Sequence, residues 1–401
     1  MAVREIAGPD KRTRVPLLYD PKVRSITAQL ALVIAVVWFG YEIVDNAITN
    51  LARQNIATGF RFLNNTAGFG IVSTLGTWAV GYIEASSYGA AFLVGLINTL
   101  AVAIIGIVLA TVLGFIVGIA RLSPNWLISR LAAGYVELLR NIPLLLQIFF
   151  WYFAVLRSLP TPRQSLDLGT GIFLNSRGLF MPLAVPEEGL GTTLWAFVLG
   201  CAGAYALGRW ARRRQAATGE QFPLFWTSAG LIVVLPLIVF LLSGAPLSFE
   251  YPELGGFNFR GGMVIIPEFV SLVAALALYT AAFIAEVVRA GILAVSHGQT
   301  EAARALGLRP GHILRLVVIP QAMRVIIPPL TNQYLNLTKN SSLAVAIAYP
   351  DLVSAFAGTT LNQTGQAVEV LLITMAVYLI LSLLTSAFMN WYNARMALVE
   401  R

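Results

Sequence analysis

Eight long apolar runs constrain this chain more than any other feature of its sequence. A helix needs about 20 apolar residues to cross a bilayer core that is about 30 Å thick. Runs of this kind, with few charges, occupy residues 26–44, 91–120, 142–156, 192–207, 224–242, 265–285, 325–349 and 368–391. Helices satisfy their own backbone hydrogen bonds inside lipid. The pattern therefore predicts an all-α, polytopic membrane protein with about eight transmembrane helices.

Composition supports a membrane location and gives the chain a direction. Only 11% of the residues are charged, against about 25% in soluble domains. Lys and Arg number 27 against 19 Asp and Glu, and basic residues are retained on the cytoplasmic side of a membrane. Most of them fall in cytoplasmic segments if both termini are cytoplasmic, so we interpret the excess as orientation and exclude nucleic acid as a partner. The first run is interpreted as an uncleaved anchor, because no small-residue cleavage site follows it.

The rare residues exclude several kinds of chemistry. Cys201 is the only cysteine, which excludes an intramolecular disulfide and a multi-thiolate zinc site. The two histidines, His297 and His312, share one polar loop without a pattern of metal ligands. None of the three lysines follows the glycine that a phosphate-binding loop requires. We therefore expect no metal and no cofactor in this chain, and any ATP to be hydrolysed by another chain.

Residues 296–321 form the most informative polar loop. Thr300 is suited to cap a helix, and Glu301 would place an acid in the first turn, where the helix dipole favours it. Gly307 can end that helix in a left-handed conformation, and Pro310 can open a second helix. The sequence predicts an exposed helix–turn–helix on the cytoplasmic side.

This loop resembles the EAA loop of ABC importer permeases, whose pattern is EAA-x3-G-x9-I-x-L-P. Valine and isoleucine stand here where the pattern has isoleucine and leucine. The matching residues, which the resemblance implies to be ATPase-coupling residues, are Glu301, Ala302, Ala303, Gly307, Val317, Ile319 and Pro320. In that family the short helix docks in a groove of the ATPase and transmits its closure.

The flanking motifs are similar to those of the polar amino-acid uptake permeases. They are Glu286-x-x-Arg289, the segment 339–343 that begins Lys-Asn-Ser-Ser, and the segment 135–147 in the first half. The resemblance implies a five-helix type I ABC importer permease core. With its extra spans, the chain resembles the Q-type permeases of general L-amino-acid and glutamate/glutamine importers. At 340–341 it carries Asn-Ser where relatives often carry Asp-Thr.

That resemblance also implies an activity and a set of partners. The chain would move L-amino acids from the periplasm to the cytoplasm by alternating access and would not itself be an enzyme. Its expected partners are a second permease subunit in a heterodimer, a dimer of ATPase subunits that holds ATP and Mg, a periplasmic amino-acid-binding protein, and membrane lipid. Its expected location is the bacterial inner membrane.

Five segments divide the chain on this interpretation. They are a cytoplasmic N-terminal segment (1–25), an anchor helix with a long periplasmic segment (26–90), the first half of the core (91–159), an insertion with two extra spans (160–264), and the second half with the coupling loop (265–401). The long outer segments 45–90 and 160–191 are interpreted as interfacial helices, as docking surface, or as segments packed on the protein's own outer face.

Arg140 and Lys339 are basic residues beside and inside apolar runs. A basic residue at the centre of a membrane helix costs about 2.5–3.5 kcal/mol. A zwitterionic amino acid offers a carboxylate to such a base. The candidate residues of the substrate path or gate are Lys339, Asn340, Ser341, Ser342, Arg140 and Glu137.

Structural roles compete with these assignments. Glu137 precedes Arg140 by three residues and is placed to pair with it. Glu286 and Arg289 have the same spacing and are interpreted as a structural pair. We expect Pro328-Pro329 to break or kink its helix, as a hinge or as a static bend.

Two other functions stand beside the importer. An autonomous secondary transporter or channel for small polar solutes would need titratable or ion-coordinating groups in mid-span and no motor-docking loop. A sensory or assembly protein would transport nothing. The sequence does not identify which amino acids are carried.

Overall fold

The computed structural model describes residues 21–53 and 59–396. The basic residues Arg4, Lys11, Arg12 and Arg14, on which part of the orientation argument depends, lie outside the described residues, as does Arg401.

Helices dominate the described part of the chain. They are α1 (Pro21–Arg53), α2 (Leu75–Val80), α3 (Tyr88–Ala120), α4 (Trp126–Asn141), α5 (Leu144–Phe149), α6 (Leu190–Thr218), α7 (Leu224–Ala229), α8 (Leu235–Leu242), α9 (Pro267–Leu293), α10 (His297–Ala305), α11 (Pro310–Ile313), α12 (Ile319–Asn340), α13 (Leu361–Thr364) and α14 (Ala367–Met396). Shorter 3₁₀ or π turns cover Phe60–Asn64, Phe150–Leu156, Pro162–Gln164, Gly230–Val234, Leu314–Val318, Ser341–Ile347 and Leu352–Thr360.

Seven helical stretches of the described chain are long and apolar enough to cross a membrane, and a bent pair brings the number to eight. The prediction of about eight spans is confirmed. A straight span over 142–156 is wrong, however. The stretch Leu144–Leu156 meets α4 at an angle of 106°, and only the two together have the length and composition of a span.

The bend at the end of α4 has a local cause. Ile142 is extended, with φ −94° and ψ 127°, because the following Pro143 disfavours helical backbone in the residue before it. The Gln147 side chain turns back and donates from Nε2 to the carbonyls of Leu139, at 2.9 Å, and Ile142, at 3.0 Å. The amide thereby satisfies carbonyls that the interrupted helix leaves without partners.

The core forms where α3 lies along α9, with α12 and α14 packed beside them. Close approach depends on small residues. A Cβ added to Gly114 on α3 would lie 2.5 Å from Ile284 Cγ2 on α9. One added to Gly118 would lie 2.7 Å from the Ala285 carbonyl oxygen. Only glycine allows the two helices to pack this tightly.

Helix α12 runs unbroken through Pro328 and Pro329. A break at these prolines is therefore wrong, since α12 is one helix from Ile319 to Asn340, and a kink there stays a prediction. Flanking helices can sustain a helix whose prolines remove backbone donors.

Short strands lie on both sides of the inserted α6–α8 hairpin. They are β1 (Leu166–Asp167), β2 (Phe173–Asn175), β3 (Gly178–Met181), β4 (Leu183–Pro186), β5 (Leu247–Glu250), β6 (Glu253–Gly255), β7 (Asn258–Arg260) and β8 (Met263–Ile265). All pairs are antiparallel, and they form a sheet of order β1–β2–β3–β8 with two ribbons, β4–β5 and β6–β7. Interfacial helices in 160–191 are therefore wrong, and these strands depart from the expected all-α pattern.

The pairing of β3 with β8 carries the chain back to the core. Phe180 stands opposite Val264, two residues before the chain enters α9 through Ile266 and Pro267. Asn175 turns the chain between β2 and β3, since its Oδ1 accepts from the Arg177 backbone N–H at 2.8 Å. This arrangement, which we call the β layer (residues 166–186 and 247–265), lies next to the start of α9.

Candidate functional site

The predicted coupling helix is α10. It begins at His297, so Thr300 lies within it, and the predicted cap at Thr300 is wrong. The first turn forms earlier because the Gln299 N–H already donates to the Ser296 carbonyl at 3.0 Å. Glu301 then lies one turn inside the helix, where its Oε1 is 3.1 Å from His297 Nδ1.

The turn after α10 has the predicted geometry. Gly307 is left-handed, with φ +75°, a conformation that glycine adopts at little cost. Its N–H donates to the Arg304 carbonyl at 2.9 Å, and the Leu308 N–H donates to the Ala303 carbonyl at 3.2 Å. Pro310 then occupies the first turn of α11. Both the glycine stop and the proline start are confirmed.

The motif residues differ in their exposure to solvent. Ala303 is buried, whereas Glu301, Ala302 and Gly307 are exposed. Farther along, Val317 and Pro320 are half-buried and Ile319 is exposed. Leu306, at the end of α10, is 81% exposed. The loop thus presents an apolar tip and an acid while one alanine anchors it.

A charged clasp lies near the C-terminal end of α9. The predicted contact is present, since Arg289 Nε donates to Glu286 Oε1 at 3.1 Å. The same carboxylate also pairs with Arg121, which immediately follows α3. Arg121 in turn offers its carbonyl to the Ser129 hydroxyl on α4 at 2.9 Å. The clasp therefore joins the end of α3, the C-terminal part of α9 and the start of α4. No motif in the sequence predicted the part of Arg121, although it directly ends an apolar run.

Arg140 does not pair with Glu137. Its guanidinium carbon lies 5.0 Å from the centre of the Phe283 ring on α9, and no salt bridge joins it to Glu137 in the described part of the chain. The spacing allowed a local pair, but packing against α9 offers the planar guanidinium an aromatic face. Both side chains are exposed at their own positions.

The polar segment after α12 shows mixed burial. Lys339 is exposed, Asn340 and Ser342 are half-buried, and Ser341 is fully buried. Ser341 Oγ donates to the Thr338 carbonyl and Ser342 Oγ to the Lys339 carbonyl, each at 2.7 Å. No ion pair of Lys339 occurs among residues 21–53 and 59–396, and no contact there brings it to Arg140.

A buried polar cluster that the sequence did not predict joins α3 to residues 350–352. Asn98 on α3 donates to the Pro350 carbonyl at 2.8 Å and accepts from the Gly76 N–H at 2.9 Å. Thr99 Oγ1 accepts from the Leu352 N–H at 3.0 Å. The only available signal was the presence of two polar residues inside an apolar run.

Asp351 completes this polar cluster, in the connection between two spans. It is fully buried, and its Oδ1 accepts from the Ser354 N–H at 2.8 Å. Burial raises the pKa of Asp351 to about 7, because desolvation disfavours a carboxylate.

The chain is similar in sequence to a known family of membrane transport proteins. A family model described as "Binding-protein-dependent transport system inner membrane component" matches residues 222–398. The general L-amino acid transport system permease protein AapQ of Rhizobium johnstonii is 54% identical over 96% of this chain and 95% of its own length.

Two further relatives match over the same extent. The putative amino-acid ABC transporter permease protein YhdX of Escherichia coli is 52% identical over 95% of this chain and 96% of its own length. The glutamate/glutamine/aspartate/asparagine transport system permease protein BztB of Rhodobacter capsulatus is 39% identical over 96% of both chains. The similarity therefore includes the inserted hairpin and the β layer as well as the core.

Proposed function

Because the chain belongs to the family of amino-acid ABC importer permeases, we propose that it carries L-amino acids inward across the bacterial inner membrane, driven by ATP hydrolysis on a partner. The full-length similarity to permeases of amino-acid transport systems supports this substrate class. The chain is a multi-pass membrane subunit and not itself a catalyst. Both termini are proposed to be cytoplasmic.

The observation that carries the proposal is the geometry of α10. A stop at left-handed Gly307 gives the helix a fixed end, and Leu306 stands 81% exposed beside it. An exposed leucine alone means little, but an apolar tip next to an exposed acid on a rigid helix suits a groove in another protein. We assign this role to Glu301, Ala302, Ala303, Gly307, Val317, Ile319 and Pro320.

The contacts of α10 indicate how its displacement would be transmitted to the core helices. Only three residues separate it from α9, and Gln321 Nε2 on α12 donates to Gln299 Oε1 at 3.4 Å. The clasp around Glu286 couples α9 to the end of α3. Displacement of α10 therefore moves the inner ends of the core helices together, which opens or closes a path between them.

The remaining partners follow from the family. We propose a dimer of ATPase subunits that holds ATP and Mg, an outer amino-acid-binding protein, and a second, unlike permease. The candidate path residues Lys339, Asn340, Ser341, Ser342, Arg140 and Glu137 stay proposals; the exposed ammonium of Lys339 suits a wet path.

A matched pair of charge reversals tests the coupling role. Glu301 and Glu220 have side chains that are each 67% exposed, and each lies beside a base. In the reconstituted complex we expect Glu301→Lys to reduce ATP-driven uptake by at least about tenfold, since losing one charged interface partner costs about 2–5 kcal/mol. Glu220→Lys, in the connection between α6 and α7, should change it little.

Gly307→Pro should uncouple transport as strongly, because proline cannot adopt a positive φ. Uptake is divided by the folded protein recovered from the membrane, so that insertion and coupling are separated. Equal normalised uptake in Glu301→Lys, Gly307→Pro and Glu220→Lys would contradict the assigned role of α10.

A further inference from the structure

A cavity of about 630 Å³ lies between the β layer and the outer ends of the core helices. Its wall includes the residue after the π turn Phe150–Leu156, the start of α9 and the turn after α12. The other side is made by the β2–β3 turn and by β7 and β8. Volumes of about 300–1,000 Å³ suit a small molecule. The inserted region and the core together complete this space.

Three charged residues line the cavity: Arg157, Arg177 and Glu268. Glu268 lies in the first turn of α9, where the helix dipole favours a negative charge. Tyr152 donates its hydroxyl to Glu268 Oε1 at 2.8 Å, which fixes the carboxylate and leaves Oε2 for another donor. The Arg157 guanidinium carbon lies 5.4 Å from the centre of the Tyr152 ring.

The two guanidinium groups have no carboxylate partner in the described part of the chain, although Arg157 also lies against the Tyr152 ring. Neither Arg157 nor Arg177 forms a salt bridge within residues 21–53 and 59–396. The backbone of Arg177 is held by Asn175, so the β2–β3 turn positions its exposed side chain at the cavity wall. A pair of guanidinium groups facing one space is suited to bind a carboxylate.

Asn258 supplies a second unused group in the same wall. Its Oδ1 is shielded from solvent and has no hydrogen-bond partner in the described part of the chain. A shielded acceptor without a donor costs about 1–3 kcal/mol.

We propose that this outer charged cavity binds the zwitterionic head of a free amino acid before it enters the path between the core helices. The α-carboxylate binds to Arg157 and Arg177, and the α-ammonium binds to Glu268 with Asn258 nearby. This inference rests on the proposed transport of amino acids and adds a binding site to it. Because the cavity binds only the α-carboxylate and the α-ammonium, selectivity among amino-acid side chains arises elsewhere.

The test uses the complete complex in liposomes, with its binding protein outside, ATP inside and radiolabelled L-glutamine as the probe. The variants are Arg177→Gln and Arg157→Gln. The matched control is Arg260→Gln, which removes an exposed arginine from β7, beside the cavity but not in its wall. Initial uptake is measured against binding-protein concentration and divided by the folded complex.

We expect each cavity variant to lower the maximal uptake rate by about tenfold, which corresponds to about 1.4 kcal/mol. The binding-protein concentration that gives half-maximal uptake should stay unchanged, and Arg177→Lys should restore part of the rate. Arg260→Gln should behave as wild type. If one arginine variant fails to fold, the other carries the test.

Two results would overturn the inference. Maximal uptake equal to that of Arg260→Gln would show that the arginines bind no transported solute. A raised half-saturating binding-protein concentration at unchanged maximal rate would assign them to docking of the binding protein. Failure of the proposed function is distinct from both, because the wild-type complex would then take up neither L-glutamine nor any other radiolabelled L-amino acid supplied with the binding protein.

Discussion

Helix α9 and the inserted helices α7 and α8 are both apolar enough to cross a membrane, yet their surroundings are opposite. In α9, 61% of the most apolar window is buried inside the chain, whereas none of the corresponding window in residues 224–242 is buried. Apolar composition therefore predicts that a helix crosses the membrane, but it does not predict whether the helix packs against lipid or against other helices of the chain. Small residues and buried polar side chains mark the helix that packs against protein.

Glycine substitutions should give the largest difference in folded protein between the α3–α9 core and the inserted hairpin. Gly114→Leu adds a side chain where a Cβ alone would lie 2.5 Å from Ile284 Cγ2. Overpacking a core costs about 1–3 kcal/mol or more, so we expect most of the folded protein to be lost. Gly230→Leu is the control in the inserted hairpin, where a Cβ would meet nothing within 4 Å.

The measurement is the amount of monodisperse protein recovered from membranes at equal expression. Recovery of Gly114→Leu at the level of Gly230→Leu would mean that α3 and α9 do not need this close approach, and the contrast between the regions would disappear.

Threonine-to-valine substitutions should give a smaller difference. Thr99→Val removes the buried acceptor of the Leu352 N–H, and an unsatisfied buried donor costs about 1–3 kcal/mol. Thr192→Val removes an exposed hydroxyl that donates to the Gly189 carbonyl at 2.6 Å, and it should cost little. The midpoint of thermal unfolding in detergent, at one scan rate, compares them; a larger decrease for Thr192→Val would contradict the contrast.

The pH dependence of stability should give the smallest effect. The pKa of Asp351 is raised to about 7 in the folded chain, so the folded state holds its proton where the unfolded state, with a pKa near 3.9, has lost it. Its contribution is complete below the unfolded pKa and declines as pH rises through about 7. From pH 6 to pH 8 we expect stability to fall by about 1 kcal/mol.

Asp351→Asn should flatten this part of the profile, because an amide does not titrate and can still accept from the Ser354 N–H. The control is Glu220→Gln, which changes an exposed carboxylate near the inserted hairpin. The unfolding midpoint is followed between pH 6 and pH 8 for each protein. A profile of Asp351→Asn as steep as that of Glu220→Gln would show that another group titrates.

Much of the fold follows from sequence because lipid permits few solutions. The apolar runs located the spans, and the glycine and proline around α10 gave the correct turn. The β layer did not follow, since its strands are two to four residues long and two of their pairings, β3 with β8 and β4 with β5, join residues far apart in sequence. Strand periodicity is not detectable over so few positions.

The site was predicted only where it is local. The Glu286–Arg289 contact follows from helical spacing, whereas Arg121 joins it from another helix. The same spacing failed for Glu137 and Arg140, because Phe283 on α9 offers the arginine another partner. The sequence did not predict the burial of Asp351, because segments that are distant in sequence cover it.

The hydrogen bond from Asn98 to the Pro350 carbonyl has a consequence for biosynthesis, because it spans 252 residues. At about 5–20 residues per second, a ribosome needs roughly 13–50 s to add that length. During this interval α3 is already made, and the Asn98 amide can contact Thr74 and Gly76 but lacks the Pro350 carbonyl. The inserted hairpin, whose helices pair with close neighbours in sequence, is complete much earlier. The N-terminal half of the transporter core therefore waits for the C-terminal half, and an insertase or chaperone that shields α3 in that time would determine how much protein matures.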